Sequence, residues 1–208
     1  MIKLDIMRMF FTAYLRVTHL RRFVLLFIFI LSAVSCASSS TPFYSNPNMD
    51  FQSIRTAAVM PFQNLTREQL AADRVRDVFS NMLLSTSEIY VMPPGEVYRG
   101  ILITGIANPV IPSPEEIIKL AAVIKVDVII TGTVKEYGEV RSGTSSANLI
   151  SISLQMIEAS TGKTIWSAST TRGGITLSDR LLGGGGEPMN DITEKAVRDI
   201  IEKILDLR

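Results

Sequence analysis

Residues Val126–Arg172 read VDVIITGTVKEYGEVRSGTSSANLISISLQMIEASTGKTIWSASTTR. Three runs in it are rich in β-branched residues, VDVIITGTVKEYGEVR, ANLISISLQMIEA and KTIWSASTTR, and only SGTSS and STG separate them. Such spacing predicts three consecutive antiparallel strands joined by short turns. Alternation is clearest from Ile150 to Met156, ISISLQM, which puts one face of the strand in a core and the other toward solvent or a further layer.

Upstream, helices and strands alternate. RTAAVM (Arg55–Met60) is a short apolar run closed by Pro61 and reads as a buried strand, followed by a PFQNLT turn. Leu70, Ala71, Val75, Val78, Phe79, Met82 and Leu83 then recur at helical spacing, with Asp73, Arg74, Arg76 and Asp77 on the other face. EIYVM (Glu88–Met92) is a second strand, and PPGEVYRGILI starts on proline as a short helix does. Ser113, Pro114, Glu115 and Glu116 supply a cap, a first-turn proline and two acids at the positive dipole end, and the helix runs on through IIKLAAVIK. After the glycine-rich segment, Asn190 or Asp191 is expected to cap a last helix bearing Ile192, Ala196, Val197, Ile200, Ile201, Ile204 and Leu205. The order β-α-β-α-α-β-β-β-α predicts an α/β fold, a mixed sheet of about five strands packed with about four helices.

The leader has a different character. Phe23–Leu31 is an apolar run of nine residues, too short for a bilayer that needs about 20. Lys3, Arg8, Arg16, Arg21 and Arg22 precede it against a lone Asp5, as in the positive region of a secretory signal, with translation starting at Met1, Met7 or Met9. Ala33, Val34, Ser35 and Cys36 follow it, and the stretch resembles a bacterial lipoprotein signal, whose cysteine is lipidated and becomes the first residue. An uncleaved signal anchor and an ordinary signal with an incidental cysteine are the alternatives. Lipidation accounts for the count of one cysteine, since an exported chain would otherwise carry a lone thiol with no disulfide partner. Ala37 rather than Asp after the cysteine favours the outer membrane, by the same resemblance. The expected division is a signal peptide over 1–35, a lipidated cysteine and Ser/Pro/Asn-rich tether over 36–50, and one periplasmic α/β domain over 51–208.

Removing that leader takes five Lys/Arg, one acid and the sole histidine, His19, out of a chain with 21 Lys/Arg and 20 Asp/Glu. The remainder is mildly acidic, which gives no electrostatic case for nucleic acid or for an anionic lipid surface. Without histidine, a Ser–His–Asp triad, a histidine general base and His/Cys metal sites are excluded from it.

Local motifs give little chemistry. IEASTGKT (Ile157–Thr164) carries GKT, yet Ile157 stands where a phosphate loop has its first glycine, and the stretch joins strand to strand. Ser160 and Lys163 have S-x-x-K spacing without the accompanying S-D-N or K-T-G, so a hairpin turn with Gly162 at positive φ is the simpler reading. Trp166 on a strand is expected in the core or on the sheet surface. The pairs Asp73/Asp77, Glu115/Glu116 and Glu136/Glu139 are a solvated face, dipole partners and a strand end. The segment from Gly173 to Pro188 is 16 residues long and holds Ile175, Leu177, Arg180, Leu181 and Leu182. Connections of that length are often functional, so it is a candidate partner loop.

AAVMPFQNLT with its following helix, VDVIITGTVKEYG, and IEASTGKTIWSAS together resemble the domain shared by the curli-secretion lipoproteins (CsgG-like), the lipoprotein activators of penicillin-binding proteins (LpoB-like) and the amino-terminal domain of TolB. The resemblance covers about Arg55 to Leu207. It implies non-enzymatic work in the cell envelope: docking on a partner, activating an enzyme or assembling into rings, with no catalytic, cofactor or metal residues to assign. A pore subunit would need long alternating membrane strands, and the short turns SGTSS and STG disfavour one. The expected function is a lipid-anchored interaction module that binds another envelope protein through its exposed sheet face or the 173–188 loop. The alternative is a homo-oligomeric part of a CsgG-like secretion or export assembly lacking membrane-spanning hairpins of its own.

Overall fold

The computed structural model describes residues 42–175 and 186–208. Strands β1 (Phe43–Ser45), β2 (Thr56–Val59), β3 (Gln63–Asn64), β4 (Tyr90–Val91), β5 (Val128–Ser142), β6 (Ser145–Glu158) and β7 (Thr164–Gly173) form one sheet of seven strands. Helices α1 (Ala71–Ser85), α2 (Pro94–Thr104), α3 (Pro114–Ile124) and α4 (Met189–Leu205) pack on it, and a 3-10 turn spans Phe51–Ser53. The sheet order is β1-β7-β6-β5-β2-β4, with β3 also on β5. The β1/β7/β6/β5 side is antiparallel, while β2, β3 and β4 pair in parallel.

The expected mixed α/β sheet is therefore present with four helices, and with seven strands instead of five. One extra strand lies in the stretch read as tether: Phe43, Tyr44 and Ser45 pair with Ala168, Ser167 and Trp166. Three residues are too few to show a period, and what makes them a strand is the free edge of β7. The other lies in the PFQNLT turn, where the chain continues past Pro61 and sets Gln63 and Asn64 beside Thr133 and Val134. Asn64 then organises the true turn: its side-chain amide donates to the carbonyls of Glu68 and Gln69, and its oxygen accepts from the Thr66 amide and hydroxyl.

Burial divides the apolar residues between two faces. On one, α1 and α4 cover Ala57, Val59, Val128, Ile130, Val134, Ile150, Ile152, Leu154, Met156 and Trp166. On the other, α2 and α3 cover Ala58, Met60, Ile129 and Ile157. Gly132 permits the tight packing of the first face, since a Cβ there would sit 2.4 Å from Leu154 and 2.8 Å from the Phe62 ring. Helix α3 opens with a capping box as its sequence promises, the Ser113 hydroxyl accepting from the Glu116 amide while the Glu116 carboxylate accepts from the Ser113 amide. Helix α4 begins one turn-quarter earlier than expected, at Met189 after Pro188, so neither Asn190 nor Asp191 is its cap; Asp191 lies in the first turn. Proline fixes φ for that entry, which the side-chain reading missed.

Asp127 ties the two parallel central strands together at their starts. Its carboxylate accepts from the amides of Arg55 and Thr56 at 2.8 and 2.9 Å and from the Thr56 hydroxyl at 2.9 Å. Burial opposes the charged form, but those donors outweigh it and hold the Asp127 carboxyl below its ordinary value. A carboxylate depressed on folding adds stability above its unfolded pKa and loses it as the pH falls through the folded one. Asp127→Asn should therefore lower the unfolding free energy at pH 7 by about 1 kcal/mol, modest because the group is exposed. The gap between parent and variant should close toward pH 3 in denaturant titrations of the full chain; a gap unchanged with pH contradicts the assignment.

Candidate interaction surface

Among the described residues, helices α2 and α3 leave about half of their sheet face uncovered. Past Ile129 and Ile157 the residues on that face turn polar. One row across the strands is Thr131, Gln155, Ser167 and Tyr44, the next is Thr133, Ser153 and Ser169, and a third pairs Ser151 with Thr171. None of these side chains is buried. Their hydroxyls bond across the strands, Ser153 to Ser169 at 2.8 Å and Thr171 to Ser151 at 3.0 Å, and Thr133 donates to Gln63 at 3.3 Å. This is the alternating polar face that ISISLQM announces; hydroxyls line it, and Glu136 stands beside Ser151 in the third row. A cleft of about 210 Å³ runs along it beneath Val110, Ile111 and Pro112.

Two larger clefts, each of about 450 Å³, lie elsewhere. One is bordered by Gln52, Arg55, Glu88 and Arg208. Arg208 there is a clamp, donating to the carbonyls of Phe51 at 3.3 Å and Ile54 at 2.7 Å. The other lies among Met49, Ile118, Ala122, Asp127 and Glu158. Asp127 is already engaged with the start of β2.

The sequence candidates for catalysis fall apart in space. Glu158–Lys163 is a hairpin turn: Gly162 sits at φ 66° and its amide donates to the Glu158 carbonyl at 2.9 Å, while Ser160 and Lys163 are exposed. The strand-to-strand context rules out the phosphate-loop and S-x-x-K readings. Trp166 is fully buried, its indole N–H without an acceptor among the described residues. Glu139 pairs with Arg141 at 2.8 Å, and Glu115 is the first-turn acid whose carboxyl the local backbone and Ser113 hold low.

The partner loop is described only at its ends. Ile175 is half-buried, while Leu177, Arg180, Leu181 and Leu182 lie outside the described residues, as does Cys36. Both ends converge on Asn148 of β6: its carbonyl accepts from the Gly174 amide at 2.8 Å, and its side-chain amide donates to the Glu187 carbonyl at 2.9 Å. Gly173 must be glycine because a Cβ would lie 2.1 Å from that same Asn148 carbonyl oxygen. Just before the loop, Arg172 grips Asp199 of α4 with two bonds of 2.5 and 2.6 Å, and Thr170 adds a third at 3.0 Å. That hydrogen bonding raises the Arg172 pKa above its ordinary value. Neither Asn148 nor the Arg172–Asp199 pair is readable from sequence, since each joins segments that only the fold brings together.

Among the described residues no helix is long and apolar enough to cross a membrane. No family model matches the chain, and no curated protein shows significant similarity to it. Solved structures do share its fold. A PelC dodecamer from Paraburkholderia phytofirmans is 15% identical, aligning over 81% of this chain and 99% of that one with a TM-score of 0.53. Lipoprotein GNA1162 from Neisseria meningitidis is 19% identical over 73% of this chain and 99% of that one, also at 0.53. The C-terminal domain of LpoB from Salmonella enterica is 13% identical over 61% and 87%, at 0.45. At these identities the likeness to PelC and GNA1162 is one of fold.

Asp199→Ala removes all three bonds that tie β7 to α4 beside the loop and leaves Arg172 with access to water. The expected cost is about 1–2 kcal/mol of unfolding free energy, with faster proteolytic nicking within 174–188 than in the parent. Unchanged stability and nicking would show that the pair does not hold the loop ends.

Proposed function

We propose that the chain is a non-enzymatic lipoprotein of the cell envelope, acylated at Cys36 and held at the outer membrane, whose periplasmic domain binds another envelope protein as an accessory or activator of an assembly. The observation that carries this reading is the bare half-face of the sheet. It is a broad, hydrogen-bonded polar platform beside an apolar helix. The 173–188 loop, with Ile175, Leu177, Arg180, Leu181 and Leu182, is the second contact. Its described ends are both fixed on Asn148.

The tether sets the working distance. Five residues separate Cys36 from Pro42, where the described domain begins, and the six steps between them reach roughly 20 Å fully extended. A domain so close to its membrane meets partners that are themselves in or near that membrane. A second reading, a homo-oligomeric component of a secretion or export assembly, is favoured by the fold shared with a PelC dodecamer.

Cells fed labelled palmitate test the anchor. The parent should take up label and fractionate with the outer membrane, and Cys36→Ala should do neither; an unlabelled parent contradicts the lipoprotein reading. In crosslinked, detergent-solubilised envelopes, the double variant Thr133→Lys/Ser153→Lys should lose the envelope proteins that copurify with the labelled parent while keeping its circular dichroism. Full copurification would remove the sheet face from the contact.

A further inference from the structure

Strand β1 sets the direction in which the chain leaves the domain. Its residues Phe43, Tyr44 and Ser45 lie opposite Ala168, Ser167 and Trp166, and the Ser169 amide donates to the Pro42 carbonyl at 3.2 Å. Followed backward from Ser45 to Pro42, the chain therefore moves toward Gly173, the end of β7. Pro42 stands on the row of Ser169, Ser153 and Thr133. From that row β5 and β6 continue the same way as a hairpin to Ser142 and Ser145, with Gly143 at φ 61° in its turn. The residues of β6 from Ser153 back to Ser145 carry the tip roughly 26 Å past Pro42, at about 3.3 Å each. Past the Leu149–Gly173 pair, the hairpin has no β7 beside it.

We infer that the tip of this hairpin, Arg141–Ser146, rests on the lipid headgroups of the membrane that holds Cys36. The inference rests on the reading that Cys36 is acylated, and it adds a lipid contact to the protein contacts proposed above. Length is the first argument. The six steps from Cys36 to Pro42 reach roughly 20 Å fully extended and span only about 13 Å as a coil. Both are less than the roughly 26 Å by which the hairpin overreaches Pro42. A tip directed toward the membrane thus meets the surface before the tether is taut, and with a coiled tether it does so until the strands lean about 60° from the membrane normal. The reverse orientation has no room. From Ser153 to Glu158 the strand runs about 17 Å the other way, and the turn at Gly162 lies beyond it, so a doubled-back tether would be used up before it cleared the domain.

Heading is the second. Proline disfavours helical backbone in the residue before it, so Pro42 favours a chain that keeps the line of β1 toward the hairpin end and opposes a sharp turn that would lay the domain on its β1 edge. The third argument is the composition of the tip. Arg141, Ser142, Gly143 and Thr144 are exposed, the segment RSGTSS holds no acid and no large apolar side chain, and Arg141 already pairs with Glu139 at 2.8 Å. Hydroxyls hydrogen-bond the phosphate and glycerol oxygens of lipids, while a run this polar stays out of the hydrocarbon. The contact is therefore one of position, imposed by anchor and tether, and it needs no attraction between the mildly acidic domain and an anionic surface. It also stands the bare sheet face upright on the membrane, open to a neighbour anchored beside it.

The test uses the full-length acylated protein in vesicles of phosphatidylethanolamine and phosphatidylglycerol that carry a nitroxide quencher on a lipid headgroup. With the single cysteine acylated, Thr144→Cys and, in a separate protein, Ser160→Cys at the opposite end of the sheet each supply the one reactive thiol for a fluorophore. The fluorophore at 144 should lose most of its emission, and the one at 160 should keep it. Raising the salt until the screening length falls from about 30 to about 8 Å should leave both unchanged, and a long Gly/Ser insertion after Ala37 should restore emission at 144. Quenching at 160 equal to or above that at 144, quenching at 144 that salt abolishes, or quenching at 144 that the insertion does not relieve would each overturn the inference. A protein that fails to float with the vesicles would remove the anchor and the inference together, whereas one that floats with full emission at 144 would remove the inference alone.

Discussion

Val128, Ile129 and Ile130 are three consecutive large apolar residues at the start of the central strand, and all three are fully buried. Successive strand side chains point to opposite faces, so burying all three demands cover on both sides of the sheet. From Thr131 onward the strand alternates, and the demand falls on one side only. The helices obey that change. Helices α1 and α4 run beneath the whole sheet, whereas α2 and α3 cover only the end where Ile129, Ile157, Ala58 and Met60 need them. The bare half-face is thus a direct consequence of where the apolar run in VDVIITGTV stops.

The parallel pairing of β2 and β5 follows from the same place. Strands of this kind are buried on both faces, and Ala57–Val59 is apolar in both directions as Val128–Ile130 is. Asp127 fixes their relative start by accepting from Arg55 and Thr56, and the Ala159 amide bonds the Asp127 carbonyl at 2.9 Å, so three segments of chain meet at one residue. Gly162, at the neighbouring turn, brings the hairpin against Pro114 at the head of α3. The end of the sheet that carries both helical layers is pinned, and the opposite end carries the long β5–β6 hairpin and the loop ends on Asn148.

Much of this was legible in the residues themselves. Period and caps sufficed for α1, α3 and the three long strands, because each carries its signal within a few turns or alternations. What escaped were elements defined by partners: β1 and β3 are too short for a period and exist because β7 and β5 offer them an edge. The start of α4 was displaced because Pro188 sets the entry by its ring rather than by a side-chain acceptor. The bare sheet face was half legible, since ISISLQM shows a polar side without saying whether another layer covers it. The outward apolar side of α2 was written in PPGEVYRGILI, but a short helix with apolar residues on every side cannot reveal which of them its own domain buries.

Side-chain oxidation by hydroxyl radicals, compared between full-length protein in intact envelopes and the same protein purified in detergent at high dilution, tests the central claim that the α2 side of the sheet is an interaction surface. Tyr44, Tyr98, Leu102, Ile103 and Ile111 should be oxidised more slowly in envelopes. Leu70 and Leu84, exposed to a similar degree at the two ends of α1, which packs on the opposite face, should react alike in both. Equal oxidation of all seven residues in the two preparations would contradict the account.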